Sequence, residues 1–299
     1  MPTSKSVATV GEEPEVGVLY IVPTPLGHRG DLSPRAIHLL SNVDVLLCED
    51  TRVTRKLLAD LSARPELHSC HDHNEQRRVE QVLRWLAAER RVALVSDAGT
   101  PLVSDPGFVL ARAVLDAGFR LIALPGPVAA VTALAASGLP PDRFTFAGFV
   151  PRKPKDRRAW LSGLAERSDT LVMYCSCHRL LADLAAIEGE LGDRRAVASR
   201  DLTKRGELHL RGPLSALQAK LGAMDRITGE WTVCVAGADA PVDDAGLAET
   251  VVDLVHAMVD AGMSPRAVRD LVCAVSEASK KQVYAAALTR RETTGLAPR

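Results

Sequence analysis

The 299-residue chain lacks most of the short motifs that announce a familiar site. No G-x-G-x-x-G follows its first strand-like run, which argues against a standard dinucleotide site, and the absence of G-x-x-x-x-G-K-[ST] excludes a P-loop. Neither Ser96 nor Ser104 sits in G-x-S-x-G, so a nucleophile elbow is unsupported. No apolar run is long enough to span a bilayer; the longest, 121–139, is broken by Pro125-Gly126-Pro127. Residues 1–15 are polar, carry no secretory core, and are expected as a mobile tail, with 1–16 set apart from the folded part. Aromatics are scarce (three Trp, three Tyr, five Phe), which restricts base stacking to a few positions. Basic and acidic residues balance at 37 each, so bulk charge gives no support for a nucleic-acid binder.

Six cysteines are present without a C-x-x-C; Cys175-Ser176-Cys177 has the wrong spacing for a redox or zinc pair. Four of the six lie in or beside apolar patterns, the habit of buried reduced thiols. The expectation is a cytoplasmic protein with no disulfide framework and no metal cluster. His71 and His73 flank Asp72, but no further soft ligand is close in sequence, which favours hydrogen-bonding or catalytic roles over a metal.

What is present is a βα rhythm. Strands are predicted over 18–22, 43–48, 67–70, 92–95 and 121–124. Helices are predicted from Ser33-Pro34 and over 53–61, 75–88, 108–117 and 128–136. This pattern predicts a mostly parallel sheet with helices on both faces, over 17–149. The segment 150–240 reads as a second, mixed domain. Its predicted helices cover 157–167, 180–191 and 214–221, and its strands 170–174, 196–199, 207–210 and 231–236. Between the two, Gly148-Phe149-Val150-Pro151 reads as an interdomain hinge. Residues 245–299 read as a helical appendix with helices over 247–259, 264–274 and 280–288.

Five segments at predicted strand ends are rich in small, polar, Pro or Gly residues. They are Pro23-Thr24-Pro25-Leu26-Gly27, Glu49-Asp50-Thr51-Arg52, His71-Asp72-His73-Asn74, Ser96 through Gly107, and Pro125-Gly126-Pro127. Parallel strands share a direction, so their carboxyl ends and all five loops line one rim. A basic cluster, Arg152, Lys153, Lys155, Arg157 and Arg158, follows the expected hinge, where charge beside a cleft can steer an anionic polymer.

These loops, followed in order by Gly138-Leu139-Pro140, Gly148-Phe149, His178-Arg179-Leu180 and Leu202-Thr203-Lys204, resemble the ribosomal RNA small-subunit methyltransferase I family, a branch of the tetrapyrrole-methylase-like fold. The resemblance covers about 18–237. It implies two α/β domains with a cofactor cleft between them, plus the small C-terminal helical part. The implied activity is S-adenosylmethionine-dependent 2′-O-methylation of a cytidine ribose in the decoding region of small-subunit rRNA, by a homodimer. A sulfonium donor needs no phosphate cradle, in keeping with the missing phosphate loops.

On this resemblance Thr100, Val103, Ser104 and Asp105 contact the methionine half of the cofactor and Val128 and Ala129 the adenosine side. Gly99 supplies backbone groups, Pro23 and Leu26 form one wall, and Tyr174 with the strand reaching Ala236 forms the other. The acceptor hydroxyl is too weakly acidic to ionise unaided, so a base is needed. Asp50 and His73 are the two candidates, Asp97 and Asn74 the candidate orienters. Arg52 is a candidate phosphate clamp, and Arg55, Lys56 and the 152–158 cluster are candidate RNA backbone contacts. The sequence departs from the family pattern at Cys175 and Cys177, where relatives commonly carry Glu and Pro, at 27–31 and at Asp201. Two rival readings are a methylase of a tetrapyrrole or other small acceptor, and a non-catalytic ribosome-binding protein.

Overall fold

A computed structural model of the chain describes residues 13–59, 61, 63–71, 74–238, 247–276 and 278–294. The chain separates into two compact units, Met1–Ala238 and Asp239–Arg299. No helix among the described residues is long and apolar enough to cross a membrane.

The first unit contains two five-stranded sheets. In the first, β1 (Val18–Ile21), β2 (Val45–Cys48), β3 (Glu66–Ser69), β4 (Val92–Val95) and β5 (Arg120–Ala123) stand in the order β3-β2-β4-β1-β5, all parallel. The central strands are apolar without interruption because both faces are covered. On one side Val18, Tyr20, Leu46, Cys48, Ala93 and Val95 pack with residues of α1 (Pro34–Asn42) and α2 (Thr51–Ala59). On the other, Leu19, Ile21, Val45, Leu47, Val92 and Leu94 meet α3 (Glu75–Ala87) and α4 (Phe108–Asp116). The period-two alternation assigns each residue to its side. α1 starts as its sequence requires: the Ser33 hydroxyl accepts from the Ala36 amide at 3.1 Å, with Pro34 in the first turn.

α4 starts differently. Its N-cap is Gly107, which has no side chain to cap with, and the buried Glu75 does this from outside: Oε1 accepts the Leu110 amide at 2.8 Å. A carboxylate at a helix N-terminus satisfies an orphan donor and complements the helix dipole.

The second sheet has the order β6-β7-β10-β8-β9, from β6 (Phe144–Phe149), β7 (Thr170–Ser176), β8 (Arg195–Arg200), β9 (Leu208–Pro213) and β10 (Glu230–Val235). β6 runs parallel to β7, and the other pairs are antiparallel. One face is buried with α6 (Pro154–Ser162), α7 (Leu180–Leu191) and α8 (Leu214–Gly222), around Leu171, Met173, Leu184, Leu217 and Val233. The other face is covered by α5 (Ala129–Ser137), whose Ala130, Ala133 and Leu134 cluster with Val172 and Cys234.

Three sequence expectations change here. The stretch expected as a hinge at 148–151 is the end of β6 and the two residues after it, hydrogen-bonded into the second sheet. α5, assigned by sequence to the first domain, packs on that second sheet. The chain passes to the second sheet directly after β5, through Pro125-Gly126-Pro127, rather than at 149–150. The first helix beyond β6 begins at Pro154, with proline in its first turn, three residues earlier than its charge pattern suggests.

The second unit is a three-helix assembly of α9 (Glu249–Asp260), α10 (Pro265–Val275) and α11 (Lys280–Thr294). Val255, Val259, Val268, Val272, Val283 and Ala287 form its core. The Ser264 hydroxyl caps α10 by accepting the Ala267 amide.

The Glu75 contact is testable. Glu75→Ala strands the Leu110 amide and is expected to destabilise the first unit by about 1–3 kcal/mol in urea unfolding. Glu75→Gln, which keeps an acceptor, is expected to lose less; equal losses would show that the acceptor oxygen is not what holds α4.

Candidate active site

The parallel order of the first sheet places the loops after β1, β2, β3, β4 and β5 at one rim. Three of them are tied into one piece by hydrogen bonds. Thr24 and Gly99 form an isolated antiparallel bridge, Thr24 N to Gly99 O at 2.8 Å and Gly99 N to Thr24 O at 3.1 Å. The Thr24 hydroxyl donates to Ser96 O and the Ser96 hydroxyl to Gly99 O, each at 3.1 Å. The Thr100 hydroxyl donates to Pro127 O at 2.8 Å, which joins the β4 loop to the β5 loop. The β4 loop is held in an uncommon shape, with Leu102 at φ 73° and Ser104 at φ 65°. Non-glycine residues in this region cost energy and cluster at functional sites. Gly99 at φ 91° has no such penalty, and a Cβ there would lie 3.2 Å from Leu26 Cδ2.

Above these loops lies a cavity of about 780 Å³, within the range of small-molecule sites, roughly 300–1,000 Å³. Its floor is Asp97 through Thr100 and Val103 through Asp105, with Leu26, Val128, Ala129 and Glu49 beside them. Its other wall comes from the second sheet: Phe149 to Arg152, Tyr174 to Arg179, and Gly229 to Thr232. Tyr174 links the two, since its hydroxyl accepts the Ala130 amide at the start of α5 at 3.2 Å. Burial raises the Tyr174 pKa, so the phenol stays neutral.

Of the cofactor candidates, Leu26, Gly99, Thr100, Val103, Ser104, Asp105, Val128, Ala129 and Tyr174 all line this cavity. Pro23 and Ala236 do not. Pro23 lies against the backbone of Gly126, and Ala236 packs into the core under α5.

The acid–base candidates separate. Asp50 is held by Arg52: its carboxylate accepts the Arg52 amide at 2.8 Å and the guanidinium Nη2 at 2.6 Å. These bonds lower its pKa to about 2, and Asp50 does not line the cavity. Asp97 does line it, and burial raises its pKa, with the nearby Asp50 charge adding to the shift. Asp97 Oδ1 accepts the Asp50 amide at 3.1 Å. Of the two carboxylates, Asp97, expected as an orienter, thus lines the cavity with a raised pKa, whereas Asp50, expected as a base, is engaged by Arg52 outside it. Asn74 is occupied in its own turn, with Oδ1 accepting the His71 amide at 2.9 Å and Nδ2 donating to Ser69, and it does not line the cavity. His73 lies outside the described residues.

The basic candidates also separate. Arg152 lines the cavity mouth, and Lys153 and Lys155 are exposed beside it. None of the three has an ion-pair partner among the described residues. Arg157 differs: its side chain is 16% exposed and Nη1 lies 2.8 Å from Oδ1 of the fully buried Asp183, so it is a structural ion pair. Arg158 is exposed and pairs with Glu190, and Arg52 pairs with Asp50. Arg55 and Lys56 are exposed on α2.

Sequence reasoning missed much of the second wall. Trp231, Thr232 and Gly229 reach the cavity through β10, whose pairing with β7 is not visible in sequence order. His178 and Arg179 stood in a quoted motif and could have been found there. Cys175 is a buried wall residue whose thiol is pushed well above its ordinary pKa by burial, so it gives the cavity a neutral group at this point.

Comparison with known proteins agrees with this architecture. The family described as Tetrapyrrole (Corrin/Porphyrin) Methylases matches residues 18–218. The chain is 42% identical to ribosomal RNA small subunit methyltransferase I of Micromonospora olivasterospora, over 95% of this chain and 90% of that protein. It is 43% identical to the protein of the same name from Xylella fastidiosa strain Temecula1, over 90% and 98%, and 45% identical to that of Escherichia coli O157:H7, over 76% and 80%. Among solved structures, uroporphyrin-III-C-methyltransferase from Thermus thermophilus aligns with a TM-score of 0.53 at 22% identity, over 74% of this chain and 94% of that one. The cobalt precorrin-4 methyltransferase CbiF aligns with a TM-score of 0.53 at 18% identity, over 74% and 95%. These two share the fold. With 40–45% identity to its sequence relatives over most of its length, the chain belongs to the ribosomal RNA small-subunit methyltransferase I family of tetrapyrrole-methylase-fold methyltransferases.

Proposed function

We propose that the chain is an S-adenosylmethionine-dependent 2′-O-methyltransferase of a cytidine ribose in the decoding region of small-subunit ribosomal RNA, working as a homodimer in the cytoplasm. The observation that carries this reading is one cavity that combines a close backbone floor at Gly99–Asp105, a desolvated carboxylate at Asp97 and a basic mouth at Arg152. The printed name of the sequence relatives supports the RNA substrate. The exposed Phe108 and Leu115, seven residues apart on α4, support self-association by offering an apolar patch.

The cavity suits the cofactor. The floor is open where a Cβ at Gly99 would close on Leu26. Leu26, Val128, Ala129 and Tyr174 offer an apolar seat for the adenosine part, and Thr100 to Asp105 offer polar and backbone groups for the methionine part. When bound, S-adenosylmethionine supplies an electrophilic methyl group. The protein's task is to exclude water, align the acceptor and take its proton. Asp97 Oδ1 is committed to the Asp50 amide, and Oδ2 is the atom that accepts the ribose hydroxyl proton. Glu49 and Asp105, the other acids on the floor side of the lining, add negative charge toward a sulfonium, and Glu230 stands on the other wall.

Three outcomes test this. Labelled methyl groups are expected to pass from S-adenosylmethionine to small subunits that lack native methylation, giving one 2′-O-methyl stop in the decoding region by primer extension at low nucleotide. Saturable cofactor binding with no transfer to any ribosomal particle would overturn the RNA assignment and favour a small acceptor.

Asp97→Asn is expected to lower kcat about 10²–10⁴-fold while leaving cofactor affinity intact. For the wild-type chain, the rate should rise with pH through the elevated Asp97 pKa and then level off, since the base must be ionised. The stability effect has the opposite sign. A carboxyl whose folded pKa is raised is stabilised by protonation, so its contribution is favourable at low pH and lost as pH rises through that value. At neutral pH the Asn variant should therefore melt no lower than wild type. A kcat loss that tracks a lower Tm would make Asp97 structural instead.

Gly99→Ala forces a side chain into φ 91° and toward Leu26. Strain of about 1–3 kcal/mol in the floor is expected to weaken cofactor binding about tenfold, measured by calorimetry. Unchanged affinity would mean that the donor does not lie on this floor.

A further inference from the structure

Phe149 is 59% exposed, yet Val150 next to it is 1% exposed and buried in the core of the second sheet. It lies at the cavity wall, not on a distant surface. The backbone on both sides of it is fixed by separate devices. Before it, the β6–β7 register shifts: Phe146 pairs with Val172 and Phe149 with Tyr174, so β6 spends one residue more than β7 over this step. Gly148, at φ 75°, sits in this bulge, a conformation that glycine adopts without strain. Bulges of this kind re-aim the next side chain beside active sites.

After it, Val150 N donates to Tyr174 O at 3.1 Å. Arg179 then grips the chain, donating from Nη2 to Val150 O at 3.1 Å and from Nη1 to Pro151 O at 3.2 Å. Arg179 is held in turn by the fully buried Asp183, 3.3 Å away. The ring itself meets Tyr174 at a steep angle, 64° with centroids 5.2 Å apart, and Phe146 meets Tyr174 from another side at 4.9 Å. Beyond that edge contact, more than half of the ring stays in water on a backbone fixed from both sides, and such preorganisation of an exposed apolar face serves a ligand.

We infer that Phe149 is a stacking platform for the nucleobase of the acceptor nucleotide, with Arg152, three residues on at the same mouth, receiving its phosphate. This assignment rests on the proposed RNA reading. Bases of single-stranded segments in structured RNA are held splayed out by stacking on an aromatic face, which fixes the nucleotide that carries them. With so few aromatics in the chain, the one exposed at the cavity wall on a bulge is the position the geometry provides. Phe149 contributes to holding the acceptor; Asp97 remains the group that handles its proton.

The test is steady-state methyl transfer to undermethylated small subunits at saturating S-adenosylmethionine, with cofactor affinity and Tm measured on the same preparations. Phe149→Leu keeps apolar bulk and loses the π face. It is expected to lower kcat/KM for the subunit about 5- to 150-fold, mainly through KM, with cofactor affinity and Tm unchanged. Phe149→Trp is expected to restore kcat/KM to within about threefold, since any aromatic face can stack. Wild-type kcat/KM in the Leu variant would overturn the inference. So would a matching loss of cofactor affinity, which would make the ring a cofactor wall, or a failure of Trp to rescue. A wild-type chain that binds the cofactor but methylates no ribosomal particle would overturn the RNA reading itself, and the platform with it.

Discussion

The two-bond bridge between Thr24 and Gly99 is the contact on which the candidate site depends. A parallel sheet delivers its loops to one rim, but delivery alone leaves each loop free to move by itself. Backbone pairing across the bridge makes the β1 and β4 loops one structure, and the Thr100 hydroxyl adds the β5 loop through Pro127 O. The buried Thr24 hydroxyl satisfies Ser96 O under the cavity floor, and the Ser96 hydroxyl adds a second bond to Gly99 O beside the bridge. The floor can then hold Leu102 and Ser104 in left-handed conformations that an isolated loop would not keep.

The second wall is attached through α5. This helix follows directly from the Pro125-Gly126-Pro127 loop of the first sheet and buries Ala130, Ala133 and Leu134 against the second. Small side chains let it approach that sheet closely, and the Tyr174 hydroxyl takes up an amide that its first turn leaves without an intrahelical partner. Floor and wall are thus set by the same segment, so the cavity width is fixed by packing rather than by a long linker. The line Phe146–Tyr174–Phe149 runs along this junction.

The sequence made legible what depends on local chemistry. Uninterrupted apolar runs showed strands buried on both faces, and Gly- and Pro-rich ends showed which loops would form the rim. Most of the cofactor candidates, whose roles the family resemblance implied, lie in one cavity. What stayed hidden depends on partners distant in sequence. β6 was missed because Phe144–Phe149 contains the glycine of its own bulge, which reads as a hinge until the register with β7 is known. Arg157 read as an exposed member of a basic run because its partner, Asp183, lies 26 residues away on α7. Asp50 stands ahead of Asp97 as a base in sequence because neither the Arg52 fork on the one nor the burial of the other shows there.

The same accounting resolves the conflict between a neutral chain and a polyanionic substrate. Zero net charge describes the whole sequence, whereas an RNA backbone meets only a local field. Within the 152–158 run, Asp183 takes Arg157 into the interior and Glu190 engages Arg158. Arg152, Lys153 and Lys155 have no such partner among the described residues, and Arg152 stands at the cavity itself. Of the four acids of the lining, Asp97, Glu49 and Asp105 belong to the floor side, and Glu230, paired with Lys204, to the other wall. Three acids thus stand on the floor side, while Arg152 and Arg179 stand on the other wall together with Glu230. A local arrangement of this kind leaves no trace in composition, so zero net charge does not describe the charge around the cavity.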